Sequence, residues 1–250
     1  MSRPGIEKAS RQPVALIVGA GDALGGAISR RFAREGYVTC VARRSTDKLT
    51  ALVEMIAADG GRAVAFGLDA RKEEQVVETF ARIEDEIGPI EVVIFNIGAN
   101  VQFPLIETTA QKYFKVWEMA CFAGFLVGRE AAKVMLQRGR GTILFTGATA
   151  ALRGASGFAA FASAKHGLRA LAQSMARELG PQNIHVAHII IDGAIDTAFI
   201  RERFPERYAL KSEDGILDPG HISENYWFLH NQPRTGWTFE MDLRPYMEPW

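Results

Sequence analysis

Residues 14–36 read VALIVGAGDALGGAISRRFAREG, and this stretch decides the fold. Its five leading apolar residues predict a buried strand over Val14–Val18, and the apolar spacing that follows predicts an amphipathic helix over Leu24–Arg34. A glycine-rich loop joins the two. The loop and the start of the helix supply the first candidate ligand-binding residues, which are Gly19, Gly21, Ala23, Leu24 and Gly25.

The chemistry of this loop suits a pyrophosphate. Glycines let the backbone turn tightly and come close to a ligand, while a helix N-terminus presents free amides and a partial positive charge. A loop of this kind after the first strand of an alternating strand–helix array predicts dinucleotide binding. The alternative is a tight turn that only packing requires.

Short β-branched runs alternate with longer helical patterns from Val14 to about His188, which predicts successive βαβ units on a parallel sheet. Most of these runs are apolar almost throughout, as expected for strands covered by helices on both faces. The predicted strands are 14–18, 37–42, 62–68, 91–96, 141–146, 184–190 and 238–242. The predicted helices are 24–34, 46–59, 72–87, 109–137, 157–179 and 221–230. Because no repeat, linker or low-complexity tract divides the chain, we expect one domain over residues 13–250 and a flexible tail at residues 1–12.

Composition narrows the range of functions. The 250 residues include 29 basic and 29 acidic ones, and this balance without long like-charged runs argues against nucleic-acid and membrane-surface partners. No apolar run reaches the roughly 18 residues of a membrane helix, and residues 1–13 lack the apolar core of a signal peptide. Cys40 and Cys121 lie in apolar segments, and neither they nor His166, His185 and His188 have metal-ligand spacing. We therefore expect a cytoplasmic protein with free thiols and no metal site.

The end of the second predicted strand bears on the choice of dinucleotide. An acidic residue there would accept hydrogen bonds from a ribose 2′-hydroxyl, whereas Arg43 and Arg44 present two guanidinium groups suited to a 2′-phosphate. The sequence therefore favours NADP(H) over NAD(H). Solvated arginines at a strand end are the alternative, and Asp22 in the glycine loop works slightly against a phosphate.

The predicted helix at 157–179 has one buried stripe and carries a second candidate site. Phe161 and Lys165 are four residues apart, so they lie one above the other on the same helical face. This places a lysine beside an aromatic ring near the buried side. A core aromatic is the alternative interpretation of Phe161.

These features together resemble the short-chain dehydrogenase/reductase family over about residues 13–200. The family's TGxxxGxG motif is matched by Val18, Gly19, Ala23 and Gly25, with its threonine and middle glycine replaced. Asp69, with Ala70 beside it, matches the family's adenine-contacting turn. Asn96, Ile97 and Gly98 match the NNAG motif, in which Phe95 replaces the first asparagine. Asp192, Gly193 and Thr197 match the PGxxxT turn that holds the nicotinamide carboxamide. The resemblance implies an α/β fold with a Rossmann-type, doubly wound, parallel seven-stranded sheet in the order 3-2-1-4-5-6-7. It also implies a homodimer or homotetramer.

The sequence departs from the family at the catalytic residues. In the family a tyrosine exchanges the substrate proton, and a lysine four residues later binds the ribose. A serine thirteen residues before the tyrosine orients the substrate carbonyl, and an asparagine supports a proton-relay water. The corresponding positions here hold Phe161, Lys165, Ala148 and Cys121. Phenylalanine cannot move a proton and alanine cannot donate a hydrogen bond. The resemblance therefore implies that carbonyl reduction loses its acid and its polarising group, each typically a loss of about a hundredfold or more.

Two functions of different class stay open. In the first, the protein binds a dinucleotide but is catalytically silent or weak, and acts as a sensor, scaffold or partner subunit. In the second, it is an NADP-dependent oxidoreductase for an unknown carbonyl, alcohol or activated double bond, with an unusual proton donor. The candidate donors are water, Lys165 and the hydroxyls of Thr146, Thr149, Ser156, Ser163 and Tyr113.

The pattern loosens after Asp192. Residues 197–217 mix charge, phenylalanine and proline without a clear period, which predicts a surface segment over the ligand end of the sheet. We therefore expect residues 197–230 to form a lid or substrate region. The tail at residues 244–250 contains Tyr246 and Trp250 and is too aromatic for a freely solvated terminus, so we expect it to dock on its own domain or a neighbouring subunit.

Overall fold

The structure is a computed structural model that describes residues 11–98 and 100–249. Residues 1–10 of the flexible tail expected at residues 1–12, and the expected docking of Trp250, lie outside these ranges. No helix within the described ranges is long and apolar enough to cross a membrane.

Seven parallel strands form a single sheet in the order β3-β2-β1-β4-β5-β6-β7, which confirms the predicted Rossmann-type topology. The strands are β1 (Val14–Val18), β2 (Val38–Arg43), β3 (Arg62–Gly67), β4 (Ile90–Phe95), β5 (Gly141–Thr146), β6 (Ile184–Ile191) and β7 (Glu240–Leu243). All seven predicted strands are present, with ends that move by at most two residues.

Helices follow the strands as the apolar spacing predicts. They are α1 (Leu24–Arg34), α2 (Thr50–Ala58), α3 (Glu73–Arg82), α4 (Ala110–Trp117), α5 (Ala123–Arg138), α6 (Ala159–Leu179), α7 (Ala198–Arg203), α8 (Pro205–Ala209) and α9 (Pro219–His230). Local turns interrupt three of the predicted long helices. A 3₁₀ turn at Thr46–Leu49 precedes α2, a π turn at Ile83–Ile87 follows α3, and a π turn at Glu118–Phe122 separates α4 from α5.

Residues 197–217, for which the sequence predicts a surface segment, contain short helices that the lack of an apolar period does not predict. Helices α7 and α8 and a 3₁₀ turn at Leu210–Glu213 occupy most of it. Helices of six and five residues are too short to show a repeating apolar stripe. Their first residues carry the sequence signal instead. The Thr197 hydroxyl caps α7 by accepting a hydrogen bond from the Ile200 N–H at 3.1 Å, and Pro205 is the first residue of α8.

The central strands of the sheet, β1, β2, β4, β5 and β6, are buried on both faces, and alternate side chains of each strand point to opposite sides. In β1, Leu16 packs in the cluster that includes residues of α3, α5 and α6, whereas Ile17 packs in the cluster that includes residues of α1, α2 and α9. Both side chains are fully buried. This two-sided burial explains why the central strands are mostly apolar rather than alternating.

The sheet order reverses direction between β1 and β4, which lie side by side although β2 and β3 separate them in sequence. The residues that follow these strands, Gly19 and Asn96, are therefore neighbours at the carboxyl edge of the sheet. The Asn96 N–H donates to the Val18 carbonyl at 2.8 Å. Ligands of open parallel sheets bind in the crevice at such a reversal point.

Candidate functional site

Two adjoining cavities open at this edge of the sheet. The inner cavity has a volume of about 700 Å³ and reaches from the glycine loop to Phe161 and Lys165. The outer cavity has a volume of about 370 Å³ and reaches from the same loop to Arg43 and Asp69. The residues that line both cavities are Gly19, Gly21, Asn96, Ile97 and Gly98.

The glycine loop is closed tightly against β4 and α1. Gly19 has φ +99°, and a Cβ there would lie 2.6 Å from the Asn96 carbonyl oxygen. A Cβ at Gly25 would lie 2.6 Å from the Gly19 carbonyl oxygen, and the Asn96 amide donates to that oxygen at 3.1 Å. Larger residues would therefore displace the loop.

Helix α1 begins at this loop without a side-chain cap. Its N-cap is Ala23, which offers no hydrogen-bond acceptor from its side chain, and the first turn contains no acidic residue. Ala23 and Leu24 line the inner cavity with Gly25. The amides at the start of α1 are therefore available to an anion in the cavity.

The predicted residues Arg43, Arg44, Asp69 and Ala70 all line the outer cavity. The Asp69 carboxylate accepts hydrogen bonds from Arg71 Nε at 2.8 Å and Nη2 at 2.6 Å. This guanidinium, opposed by burial, holds the pKa of Asp69 below its usual value. Arg71 also lines the outer cavity, and the sequence analysis missed it although it stands two residues after Asp69.

Asp22 lines the inner cavity and Arg43 the outer cavity, and their side chains lie close to each other. Arg43 Nη1 lies 4.0 Å from Asp22 Oδ1, and the Asp22 side chain is 93% exposed. Such an exposed pair contributes little to stability. The pair bears on ligand binding instead, because the Asp22 carboxylate lies beside one of the two guanidinium groups that are expected to bind a phosphate.

Lys165 is buried at the other end of the inner cavity, with 2% of its surface exposed. Its Nζ donates to the Thr146 carbonyl at 2.8 Å and to the Ile97 carbonyl at 3.2 Å. Burial lowers the pKa of Lys165 to about 8. An ammonium has three N–H groups, so these two bonds leave one N–H for a ligand in the inner cavity that Lys165 lines.

Phe161 and Ala148 line the inner cavity together with Lys165. The Phe161 ring is 6% exposed and belongs to an apolar cluster that also contains Cys121. Cys121 is a buried free thiol that lines neither cavity, and burial raises its pKa. The wall beside Lys165 is therefore hydrocarbon at both Phe161 and Ala148.

Comparison with known proteins now identifies the family. The family model for short chain dehydrogenases matches residues 13–207 of the 250-residue chain. This protein belongs to the short chain dehydrogenase family. Its members are oxidoreductases that bind NAD(P), and the glycine loop and reversal point described above lie within the matched residues.

Individual relatives agree with this assignment. A short-chain dehydrogenase structure from Rhodopseudomonas palustris is 51% identical, with a TM-score of 0.81 over 94% of this chain and 100% of that chain. A 2-dehydro-3-deoxy-D-gluconate 5-dehydrogenase from Formosa agariphila is 29% identical over 206 residues, which are 77% of this chain and 78% of the relative. A metagenomic short-chain oxidoreductase in complex with NADP is 24% identical, with a TM-score of 0.80 over 95% of this chain and 98% of that chain, and shares the fold.

In this short-chain dehydrogenase, two threonine hydroxyls near Lys165 are engaged with other side chains. Thr146 Oγ1 and the Tyr226 hydroxyl are hydrogen bonded at 2.7 Å, and both residues are buried. The Thr149 hydroxyl donates to the carboxylate of Asp192. The Thr149 proton is therefore committed to Asp192, and the Thr146 oxygen is engaged by Tyr226 whichever of the two hydroxyls donates.

The other candidate hydroxyls are placed no better. Ser163 donates to the Ala160 carbonyl at 3.0 Å, within helix α6. Ser156, Ser163 and Tyr113 line neither cavity. Lys165 is thus the proposed proton donor that both lines the inner cavity and retains an N–H for it.

The turn after β6 lies at the same end of the inner cavity. Gly193 lines the cavity, whereas Thr197 lines neither cavity and caps α7 with its hydroxyl. Asp192 is buried and pairs with Arg244 at 3.1 Å, which ties the C-terminal tail to this turn. The sequence analysis did not include Arg244.

Three further charged residues in the inner cavity were missed by the sequence analysis. Arg207 of α8 and Glu248 of the tail are ion-paired and both line the inner cavity. Arg153, which follows the 3₁₀ turn at Thr149–Ala151, lines it as well. Forty-one residues separate Arg207 from Glu248, so no local pattern could have paired them.

The buried histidine His188 makes structural contacts. His188 is fully buried and its Nδ1 donates to Glu240 at 3.1 Å, while Arg169 holds the same carboxylate at 2.6 and 2.7 Å. Burial lowers the pKa of His188 to about 4. Within the described ranges, no group of three or more His, Cys, Asp or Glu residues could hold a metal ion.

Proposed function

We propose that the protein binds NADP(H) across the two cavities and that its conventional interconversion of carbonyls and alcohols is weak or absent. Arg43, Arg44, Asp69 and Ala70 would hold the adenosine end, and the glycine loop with the start of α1 would hold the pyrophosphate. Lys165 and Asn96 would hold the nicotinamide ribose end. By resemblance, Gly193 and Thr197 would hold the carboxamide.

The residues present fit a dinucleotide. The loop that a Cβ at Gly25 would disrupt, the uncapped start of α1 and the guanidinium groups of the outer cavity form one continuous path for an anionic ligand. When bound, the nicotinamide supplies or accepts a hydride. The chain's own residues must then supply or take the matching proton.

One observation carries the proposal of weak activity: Phe161 and Ala148 form the cavity wall beside Lys165. In the family that the sequence resembles, these two positions hold the tyrosine that exchanges the proton and the serine that polarises the carbonyl. The neighbouring hydroxyls of Thr146 and Thr149 are bonded to Tyr226 and Asp192. A carbonyl placed there would meet hydrocarbon and a single ammonium group.

A specific observation favours a second candidate, an active NADP-dependent oxidoreductase. Lys165 keeps one N–H for the inner cavity, and its pKa of about 8 makes it a workable acid near neutral pH. Lys165 would then donate the proton directly. An activated double bond would need less acid assistance than a ketone, so it is the substrate class that suits this mechanism.

Calorimetric titration and a turnover assay test the proposal. We expect NADP(H) to bind, and more tightly than NAD(H), while a panel of ketones, aldehydes and alcohols gives negligible turnover. Rapid turnover of any ketone by the unaltered protein would contradict the proposal of weak activity. Failure of both dinucleotides to bind would contradict both candidate functions.

A gain-of-function variant tests the role of the hydrocarbon wall. Phe161→Tyr combined with Ala148→Ser restores the acid and the polarising hydroxyl, so we expect carbonyl reduction to rise by about a hundredfold or more. Phe161→Leu with Ala148→Ser is the matched control because it lacks the phenol. Equal rates in the two double variants would show that the phenol does not act as the acid.

We further propose that residues 197–230 cover the ligand end of the sheet and that the protein is a cytoplasmic homodimer or homotetramer. Ile200 and Phe204 line the inner cavity, which supports the proposal that residues 197–230 cover it.

Phe114 on α4 and Phe125 on α5 are 56% and 39% exposed and lie at the two ends of a series of contacting aromatic rings. These exposed rings support assembly through the two helices. Light scattering coupled to size-exclusion chromatography measures the oligomeric state.

A further inference from the structure

The part of the inner cavity beyond Lys165 has an apolar lining. Phe158 and Phe161 come from α6 and the turn before it, Ile195 from the turn after β6, and Ile200 and Phe204 from α7 and its end. The inner cavity, with a volume of about 700 Å³, extends past the glycine loop and Lys165 to these apolar residues. The remaining space suits a molecule with a hydrocarbon body.

The charges in this apolar region are not balanced. Arg207 is ion-paired with Glu248, whose side chain is 15% exposed. Arg153 is an exposed residue that lines the same cavity, and within residues 11–98 and 100–249 its guanidinium has no hydrogen bond or ion pair. The other carboxylate in the lining, Asp22, belongs to the glycine loop and faces Arg43. One guanidinium is therefore left to meet a ligand anion.

We propose that the inner cavity beyond Lys165 binds an apolar carboxylate and that Arg153 holds the carboxylate group. The inference rests on the proposed function, because the dinucleotide would fill the part of the cavity at the glycine loop. Arg207 and Glu248 already form a guanidinium–carboxylate pair inside this cavity. Guanidinium groups bind carboxylates with two parallel hydrogen bonds, which gives both affinity and orientation.

Glu248 gives the proposal a second, opposite consequence. Its carboxylate occupies Arg207, so it withholds that guanidinium from a ligand and repels an incoming anion. Neutralising Glu248 therefore frees a second guanidinium in the same cavity. Substitutions of Arg153 and Glu248 should change carboxylate affinity in opposite directions.

Calorimetry with 3-phenylpropionate and its uncharged amide, 3-phenylpropanamide, tests this on protein saturated with NADP⁺. We expect the carboxylate to bind at least about tenfold more tightly than the amide, as a charge-assisted pair implies. Arg153→Met should remove most of this preference, and Glu248→Gln should strengthen carboxylate binding. Arg201→Met removes an exposed arginine of α7 that lines neither cavity, so it should leave both affinities unchanged.

Three results would overturn the inference while leaving the proposed function intact. They are equal affinities for the acid and the amide, no binding of either compound to the NADP⁺-loaded protein, and an Arg153→Met variant that loses NADP⁺ affinity rather than carboxylate affinity. The NADP⁺ titration is done first. If NADP⁺ itself does not bind, the proposed function fails, and this inference fails with it.

Discussion

Replacing Lys165 by methionine should reveal how strongly this buried ammonium destabilises the dinucleotide-free fold. Burial lowers the pKa of Lys165 from its ordinary 10.5 to about 8. Between these two pH values the unfolded chain holds a proton that the folded chain has released. The free energy of unfolding of the native protein therefore rises with pH through this window.

The size of the effect follows from the two pKa values. At about 1.4 kcal/mol for each pH unit, the interval from about 8 to 10.5 corresponds to about 3 kcal/mol. At pH 7 we expect the native protein and Lys165→Met to differ little. The variant loses hydrogen bonds to the Thr146 and Ile97 carbonyls, each worth about 1 kcal/mol, but it no longer buries a charge.

Urea denaturation of both proteins between pH 7 and 10 measures this difference. The quantity of interest is the unfolding free energy of the native protein minus that of Lys165→Met, because the titrations of Tyr37 and Cys40 are common to both and cancel. This difference should rise by at least about 2 kcal/mol over the range. Lys115→Met, an exposed lysine of α4, is the matched control. A flat difference for Lys165→Met would refute the buried-charge argument.

Three further perturbations have expected outcomes. Burial lowers the pKa values of His188 and His230 to about 4, so the unfolded chain takes up protons around pH 6.5 that the folded chain cannot. The free energy of unfolding, measured by urea denaturation, should therefore fall by about 2 kcal/mol per histidine between pH 7 and 4.5. Gly25→Ala would place a Cβ 2.6 Å from a backbone oxygen and should lower NADP⁺ affinity at least about tenfold in calorimetry, whereas Gly154→Ala, where a Cβ meets open space, should not. Asp22→Asn removes the carboxylate 4.0 Å from a candidate phosphate-binding guanidinium and should raise the ratio of NADP⁺ to NAD⁺ affinity by about two- to fivefold; an unchanged ratio would exclude that role.

The sequence predicts the fold well because the strands and long helices are specified locally. In β1 all five residues are apolar, and in α6 the apolar spacing covers the whole helix. The order of the strands came from resemblance to a family rather than from periodicity. Helices α7 and α8 were missed because six and five residues are too few to display a period, and their capping residues were the remaining signal.

The site was predictable only in part, for a related reason. The glycine loop, Arg43, Asp69 and Lys165 belong to continuous motifs, and each lines at least one of the two cavities. The ion pairs of Arg207 with Glu248 and of Arg244 with Asp192 join segments far apart in the chain. Such pairs depend on how α8 and the tail pack over the sheet, which no local pattern encodes.

The burial of Lys165 itself argues for a ligand. A lysine whose task was only to satisfy the Thr146 and Ile97 carbonyls would destabilise the fold by about as much as its two hydrogen bonds return. A neutral donor could bond these carbonyls without burying a charge. The ammonium gains an advantage only if a third partner in the inner cavity, with hydroxyl or anionic oxygens, uses its remaining N–H. Phe161, one helical turn before Lys165, offers no such oxygen, so the proposed dinucleotide would supply it.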